Sequence, residues 1–254
     1  MKINQAFTIL QSAGGIRAAR IITENTTKLS RVKIWWMARQ LRRGVPVAKI
    51  IHQKWFYGLK FYTNRWTLDP RPDTETLVSA VISDMHNDTP PKILDLGTGT
   101  GCVIISLCQN ISGAHGIGVE RSHMAALVAR KNVRRHNAPV TIRRGSFNAA
   151  NVVREKFDII VSNPPYIARG DDRVDAGAMH DPATALFAKD DGYAAYQTIA
   201  KNAKNWIISG GKIYLEIGID MDVRVREIFE SAGWKFERAE SDLGGITRVM
   251  VFSL

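Results

Sequence analysis

The tetrapeptide Asn163-Pro164-Pro165-Tyr166 gives the clearest chemical signal in this chain. It follows the apolar segment 157–162, whose composition is typical of a buried parallel strand. The two prolines stiffen the turn, so the side-chain oxygen of Asn163 and the carbonyl oxygen of Pro164 can face one ligand group. Two acceptors match the two hydrogens of an NH2 group, and the ring of Tyr166 can stack on the planar group that carries it. We predict a site for chemistry on a planar nitrogen; the alternative is a purely structural turn.

A glycine-rich turn follows another apolar segment and reads Asp95-Leu96-Gly97-Thr98-Gly99-Thr100-Gly101. Glycines adopt positive φ easily and let the backbone approach a ligand closely. The spacing is Gly-x-Gly-x-Gly, which differs from the Gly-x-Gly-x-x-Gly of dinucleotide sites. A carboxylate at Asp95 can attract a cation, and a cation without a pyrophosphate describes the sulfonium part of S-adenosylmethionine. We predict this cofactor, although similar turns occur in many α/β proteins.

Two further segment ends support a cofactor site. Glu120 ends the apolar segment 115–120, where an acidic side chain can accept hydrogen bonds from both hydroxyl groups of a ribose. Ser146 and Phe147 follow the segment 140–145, at a position that usually meets the adenine ring in this architecture. Phe147 can stack on that ring. Ser146 is a weaker partner for the adenine amine than a carboxylate, and the loss of one such bond costs about 1–3 kcal/mol.

The chain alternates between helical and strand patterns from residue 73 onward, which predicts an α/β fold with a mostly parallel sheet covered by helices on both faces. The turn 243–245 is too short for a parallel crossover, so we expect the last two strands to pair antiparallel. Predicted strands are 92–97, 115–120, 140–145, 157–163, 211–218, 234–241 and 246–253. Predicted helices after residue 73 are 73–85, 102–110, 122–137, 148–155, 192–208 and 222–232.

The basic charge of the chain is concentrated near its N-terminus. Residues 1–65 contain 13 of the 35 Lys and Arg residues and one of the 24 acidic residues, a net charge of +12, whereas the whole chain carries +11. We predict a small basic helical domain at 1–54, a hairpin linker at 55–72 and a catalytic domain at 73–254. The basic domain favours contact with RNA or the ribosome, although a solvated helical surface has the same composition. The first 30 residues also resemble an organelle transit peptide.

Composition excludes several other classes of protein. No run of 18 apolar residues occurs, so we expect no membrane span. Cys102 and Cys108 are the only cysteines and show neither a disulfide framework nor zinc spacing, which favours a reducing, cytoplasmic environment. The six histidines show no ligand spacing, and we predict no metal site.

Several motifs together resemble the HemK/PrmC family of protein-glutamine methyltransferases. The resemblance extends from about residue 43 to residue 254, and the segment 69–75 (Asp-Pro-Arg-Pro-Asp-Thr-Glu) is its most discriminating part. The other matching elements are Gly44-Val45-Pro46, 95–101, 163–166, Asp181-Pro182, Ala185-Leu186, Asp191-Gly192, Leu215-Glu216-Ile217-Gly218, Asp242-Leu243 and Arg248.

This resemblance implies a Rossmann-like class I methyltransferase fold, with a seven-stranded sheet, that methylates the glutamine of the Gly-Gly-Gln motif in peptide chain release factors. We expect a monomer. Residues implied to bind the cofactor or line its pocket are Asp95, Gly97, Thr98, Gly99, Thr100, Gly101, Glu120, Phe147 and Asn163. Residues implied to bind the substrate glutamine are Asn163, Pro164, Pro165 and Tyr166, of which Asn163, Pro164 and Tyr166 are the predicted catalytic groups.

The chain departs from the family pattern at three positions. Glu120 replaces an aspartate, Ser146 replaces an aspartate at the adenine edge, and Asp181 replaces a glutamate. About 43 residues precede the Gly-x-Pro element, so the release-factor-binding domain is expected to be short. Two alternative functions stay open: methylation of an exocyclic amine of adenine or cytosine in RNA or DNA, with the same acceptor pair holding a flipped-out base, and a non-catalytic binding protein on the same scaffold.

Overall fold

The computed structural model describes residues 1–27, 30–85, 89–148, 153–168 and 177–254. Within these ranges the chain forms N-terminal helices, a short hairpin and a seven-stranded sheet covered by helices on both faces. No helix in the described ranges is both long enough and apolar enough to cross a membrane.

Three N-terminal helices form a hydrophobic core of their own. They are α1 (Ile3–Asn25), α2 (Arg31–Arg42) and α3 (Val47–Ile51). Gly15 has φ 84° and ψ 170°, so the helical backbone of α1 is interrupted at this residue. The hydroxyl of Ser30 accepts a hydrogen bond from the backbone N–H of Lys33 and caps α2.

A β-hairpin connects these helices to the rest of the chain. Its strands are β1 (Gln53–Phe56) and β2 (Leu59–Tyr62), which pair antiparallel around Gly58. The Asn132 side chain hydrogen-bonds both the N–H and the C=O of Tyr62 and also reaches the carbonyl of Thr100. The hairpin is therefore attached to the segment that contains the glycine-rich turn. The predicted division of the chain into domains stays a prediction.

The large sheet has the strand order β5-β4-β3-β6-β7-β9-β8. Its strands are β3 (Lys92–Leu96), β4 (His115–Glu120), β5 (Val140–Arg144), β6 (Phe157–Ser162), β7 (Ile207–Glu216), β8 (Lys235–Ser241) and β9 (Thr247–Ser253). The pairs from β5 to β7 are parallel, and β9 is antiparallel to both β7 and β8, as predicted. Successive strand residues face opposite cores: Ile93 belongs to one hydrophobic cluster and Leu94 to the other.

Six helices accompany the sheet within the described ranges. They are α4 (Thr74–Ser83), α5 (Cys102–Asn110), α6 (His123–His136), α7 (Ala183–Leu186), α8 (Ala194–Asn202) and α9 (Asp222–Ser231). The prediction for 192–208 was too long, because α8 ends at Asn202 and β7 already begins at Ile207. The predicted helix 148–155 lies largely on residues 149–152, outside the described residues.

A buried group of charges joins the N-terminal helices to segments that flank the large sheet. The Lys49 ammonium on α3 lies 2.9 Å from the Asp69 carboxylate and 2.7 Å from that of Asp181. It also donates to main-chain carbonyls of Asn64 and Thr67. The guanidinium of Arg71 pairs with the other oxygen of Asp181 at 2.8 Å. Asp181, one of the departures from the family pattern, therefore holds two cations.

Replacing Lys49 tests how much this group stabilises the fold. Lys49→Met leaves two buried carboxylates without their shared cation, so it should lower the free energy of unfolding by about 3–5 kcal/mol. Urea denaturation followed by circular dichroism measures this loss. Lys33→Met, on the exposed face of α2, serves as the control and should change stability by less than about 0.5 kcal/mol. Equal effects of the two substitutions would contradict a stabilising role for the buried charges.

Candidate functional site

The predicted site residues lie at one edge of the large sheet. Parallel pairing of β3, β4, β6 and β7 brings the C-terminal ends of these strands together. The glycine-rich turn follows β3, Glu120 ends β4, Asn163 follows β6 and Glu216 ends β7. Residues that are more than 100 positions apart in the sequence therefore face common space.

A cavity of about 780 Å³ opens at this edge. Predicted cofactor residues on its wall are Asp95, Gly97, Thr98, Gly99, Thr100, Glu120, Phe147 and Asn163. Gly101 does not line it; its φ of +81° places it at the N-terminus of α5, where it turns the chain into the helix. Residues not predicted from the sequence also line the cavity. They include Arg71, which precedes α4, Thr74, which begins α4, and Thr198 on α8.

The glycine-rich turn is a backbone cradle. Gly97 and Gly99 have φ values of +81° and +56°, which L side chains rarely adopt. The N–H groups of Gly97 and Thr98 both donate to the carbonyl of Val119, which fixes the turn against β4. A Cβ atom added at Gly97 would lie 3.1 Å from the ring of Phe147. Glycine at this position therefore lets the ring of Phe147 pack closely against the turn.

Asp95 and Glu120 both line this cavity, and different contacts hold their carboxyl groups. The hydroxyl of Thr98 donates to Asp95 Oδ2 at 2.6 Å. Glu120 Oε2 accepts from the N–H of Gly99 at 3.0 Å, and its Oε1 accepts from the N–H of Ser122 at 2.7 Å. The longer arm of Glu120 thus reaches back to the glycine-rich turn. Each of its oxygens keeps a second lone pair for a ribose hydroxyl.

Burial changes the acidity of Asp95. Its side chain is 2% exposed, and desolvation raises its pKa to about 7, even though the Thr98 hydrogen bond acts in the opposite direction. The negative charge of Glu120 adds to the increase. A buried carboxyl group of this kind is stabilised in its ionised form by a nearby cation. The carboxyl groups of Asp95 and Glu120 therefore fit a cationic ligand such as a sulfonium.

A second cavity of about 350 Å³ adjoins the first. All four predicted substrate-binding residues line it: Asn163, Pro164, Pro165 and Tyr166. Asn163 and Pro165 also line the larger cavity and so form a shared wall. The structure therefore separates the two predicted groups of residues and places Asn163 between them.

Thr74 at the start of α4 fixes the orientation of the Asn163 amide. Asn163 Nδ2 donates to Thr74 Oγ1 at 3.1 Å. With its NH2 group occupied in this way, the Asn163 oxygen is available as an acceptor. Thr74 belongs to the segment 69–75, so this segment acts directly at the site. The sequence alone does not assign Thr74 to the site, because its partner is 89 residues away.

Glu216 is a buried carboxyl group that sequence reasoning did not assign to the site. It is 2% exposed and lines the smaller cavity. The hydroxyl of Tyr166 lies 3.5 Å from its Oε1. Burial raises the pKa of Glu216 to about 7, while the nearby hydroxyl of Thr74 acts in the opposite direction. The pKa of Tyr166 is raised as well, chiefly by burial, so this hydroxyl keeps its proton and acts as a donor.

Ser146 lines the larger cavity, and its hydroxyl contacts the side-chain oxygen of Asn148. The hydroxyl donates to this oxygen, so its lone pairs stay available to accept a hydrogen bond from a ligand amine. Within the described ranges, no group of three or more His, Cys, Asp or Glu side chains is arranged to hold a metal ion.

The chain is similar to several known methyltransferases. Residues 72–190 match the family model of the methyltransferase small domain. The chain is 36% identical over 237 residues to the release factor glutamine methyltransferase of Agrobacterium fabrum, covering 89% of this chain and 80% of that protein. It is also 36% identical over 260 residues to the bifunctional methyltransferase of Rickettsia felis, covering 89% of this chain. It spans 49% of that relative, about half its length.

The fold also has close counterparts among solved structures. A methyltransferase from Pyrococcus furiosus superimposes with a TM-score of 0.58 at 17% sequence identity, over 88% of this chain and 96% of that protein. The predicted fold class, a Rossmann-like methyltransferase fold with a seven-stranded and mostly parallel sheet, is confirmed.

The raised pKa of Glu216 predicts a pH-dependent stability difference. The unfolded chain loses this proton near pH 4.5 and the folded chain near pH 7, so the folded state loses stability as pH rises between these values. Glu216→Gln cannot titrate. Between pH 5 and pH 8 its stability should therefore rise relative to the wild type by about 2–3 kcal/mol, as measured by urea denaturation.

Asp84→Asn is the control for this measurement. Although burial alone would raise the pKa of Asp84, hydrogen bonds from Lys212, Tyr214 and Arg238 lower it to about 2, so Asp84 is ionised in both states above pH 5. Its substitution should change stability equally at pH 5 and pH 8. An equally flat result for Glu216→Gln would show that the Glu216 carboxyl is not perturbed by burial.

Proposed function

Since this chain belongs to the family of release factor glutamine methyltransferases, we propose that it methylates the glutamine of the Gly-Gly-Gln motif in peptide chain release factors. The methyl group goes from S-adenosylmethionine to the side-chain amide nitrogen. The observation that carries this proposal is the pair of adjoining cavities with Asn163 and Pro165 in their shared wall. A donor bound in one cavity and an amide bound in the other meet at Asn163.

The larger cavity holds the cofactor in this proposal. When bound, S-adenosylmethionine supplies an electrophilic methyl group on its sulfonium. Asp95 balances the positive charge, Glu120 accepts hydrogen bonds from the ribose, and Phe147 stacks on the adenine. The shared position of these residues on the wall of the larger cavity and the raised pKa of Asp95 support this assignment. The residues that hold the cofactor are Asp95, Gly97, Thr98, Gly99, Thr100, Glu120, Phe147 and Asn163.

The smaller cavity holds the glutamine side chain. Asn163 Oδ1 and the carbonyl of Pro164 accept the two hydrogens of the amide NH2 group, and Pro165 and Tyr166 pack against the flat amide. An amide nitrogen is a poor nucleophile because its lone pair is delocalised. Two fixed acceptors orient the nitrogen toward the methyl carbon and stabilise the positive charge that develops on it. Thr74 contributes by holding the Asn163 oxygen in place.

The basic N-terminal region is the proposed contact for RNA of the translation machinery. Trp35 and Trp36 on α2 are 55% and 47% exposed, and basic residues of the same helix, Arg39 and Arg42, lie nearby in sequence and are exposed too. Exposed aromatic rings among basic side chains favour nucleic acid. We propose that the enzyme is monomeric. A release factor substrate places it in the cytoplasm.

The role of Asn163 provides the test of this function. Asn163→Ala should abolish transfer of label from tritiated S-adenosylmethionine to a purified release factor, because the amide loses an acceptor that positions it. Cofactor affinity, measured by calorimetry, should stay within about tenfold of wild type, since most cofactor contacts come from other residues.

Asn205→Ala, at an exposed position before β7, is the matched control and should leave transfer unchanged. Wild-type turnover in Asn163→Ala would overturn the proposed mechanism. Label that enters total RNA and not the release factor would replace the glutamine substrate by a nucleobase. Failure of the wild-type protein to bind the cofactor at millimolar concentration would favour a non-catalytic role.

The RNA contact predicts a salt-dependent interaction located on α2. The logarithm of the affinity of wild-type protein for single-stranded RNA should fall linearly with the logarithm of the salt concentration. The double substitution Arg39→Glu and Arg42→Glu should reduce the slope by about 0.7 for each phosphate contact that is lost. Filter binding at several salt concentrations measures it.

The control changes the same amount of charge elsewhere: Lys201→Glu with Lys235→Glu, both exposed in the catalytic part of the chain. If both pairs of substitutions weaken binding equally, the contact is a property of net charge and not of α2.

A further inference from the structure

Glu216 occupies an unusual position for a carboxyl group. It ends β7, it is 2% exposed, and it lines the cavity proposed to hold the glutamine. Among the described residues its Oε2 has no hydrogen-bond partner of ordinary geometry. No ion pair within the described ranges includes Glu216 either. A buried carboxyl group without such partners is costly, and proteins retain it chiefly where it has a function.

The surroundings of Glu216 connect it to the reacting groups. Tyr166 donates toward Oε1 at 3.5 Å, and the hydroxyl of Tyr196 donates to the main-chain carbonyl of Glu216 at 2.8 Å. These contacts hold the side chain and the end of the strand. Thr74, which interacts with the Glu216 carboxyl, is also the partner of Asn163 Nδ2. Thr74 therefore connects the Glu216 carboxyl to the side chain of Asn163.

The proposed reaction releases a proton that needs an acceptor. The nitrogen–carbon bond forms while the sulfur–carbon bond breaks, and the sulfur keeps that electron pair as a neutral thioether. The nitrogen, now bonded to the methyl group, carries a positive charge until one of its two hydrogens leaves as a proton. Asn163 and Pro164 hold both hydrogens before the transfer, but their amide oxygens are too weakly basic to retain a proton, so one hydrogen must pass to a stronger base.

Resting on the proposed function, we propose that Glu216 is a further catalytic residue whose carboxylate accepts the proton released by the amide nitrogen. The products are then the N-methylated glutamine, the neutral thioether and a protonated Glu216, which returns its proton to solvent after product release.

Other groups near the two cavities fit this role less well. Asp73 also lines the smaller cavity, but its carboxylate pairs with Arg248 at 2.9 Å, and its side chain is 47% exposed. Asp95 lies in the larger cavity and accepts from Thr98. No histidine among the described residues lines either cavity. Glu216 is therefore the carboxyl group in the smaller cavity that combines burial with a free oxygen.

The acidity of Glu216 agrees with this role. Burial raises its pKa to about 7, so near neutral pH it is basic enough to take a proton and acidic enough to release it again. The amide N–H is too weakly acidic to be removed beforehand, so the transfer occurs as the new bond forms. Charged and titratable groups that face Glu216 are Asp73, Tyr166, Tyr196, Arg248 and, from α5, Cys102.

The test compares Glu216→Gln with wild type in single-turnover methylation of a release factor. The variant keeps the shape of the side chain but cannot take a proton. Its rate should fall by about 100-fold, while the dissociation constants for the cofactor and for a Gly-Gly-Gln peptide stay within about threefold. Glu230→Gln, exposed on α9, is the matched control and should keep the wild-type rate.

The pH dependence separates proton transfer from a structural role. The wild-type rate should rise about tenfold per pH unit below a midpoint near 7 and level off above it, whereas Glu216→Gln should lack this dependence. A rate for Glu216→Gln within about threefold of wild type, or the same acid limb in both proteins, would overturn the proposal.

The wild-type profile provides a second measurement if Glu216→Gln does not fold. A wild-type rate that is constant between pH 5.5 and 8.5, beyond the titration of Glu216 at about 7, would overturn the proposal without any variant. Wild-type protein that binds the cofactor but does not methylate the release factor would overturn the proposed function, and this inference with it. An active wild type with an unaffected Gln variant would overturn this inference alone.

Discussion

Parallel pairing of four adjacent strands determines where the chemistry of this protein takes place. The register of β3, β4, β6 and β7 places their C-terminal ends at one edge. The groups that follow or end them are the glycine-rich turn, Glu120, Asn163 and Glu216. Each group comes from a different part of the chain, and the parallel pairing brings them together. The two cavities are a consequence of this edge together with the loops that close it.

Burial of charge at this edge has two distinct uses. Asp95 and Glu216 are kept without a strong cation partner, and the pKa of each is raised to about 7. The first is suited to a cationic ligand and the second to a proton. Lys49, Asp69, Arg71 and Asp181 are instead paired with one another. The paired charges hold the segments that carry them together, whereas the unpaired carboxyl groups remain available for a ligand.

The sequence predicts those features of the site that depend on local chemistry. The positive φ of Gly97 and Gly99, the strand ends at Glu120 and Asn163, and the antiparallel final pair all follow from residue types and short spacings. The fold class and the family follow from the motifs taken together.

Features that depend on long-range contacts were not predictable in the same way. Thr74 contacts Asn163, which is 89 residues away in the sequence. Lys49 contacts Asp181, and strands β3 to β6 all lie between these two residues in the sequence. No local sequence pattern indicates either contact. Glu216 was part of a recognised segment, but its burial and its free oxygen appear only when the sheet is assembled. The roles of the individual site residues stay proposals, since they depend on ligands meeting these groups.

The most direct test of the central claim is to locate the methyl group on the product. Purified protein, S-adenosylmethionine and an unmethylated release factor would be incubated together and the release factor then analysed by peptide mass spectrometry. We predict one added methyl group on the side-chain nitrogen of the glutamine in the Gly-Gly-Gln motif, and none when that glutamine is replaced by alanine. A methyl group on another residue, or an unmodified release factor alongside methylated RNA, would contradict the account.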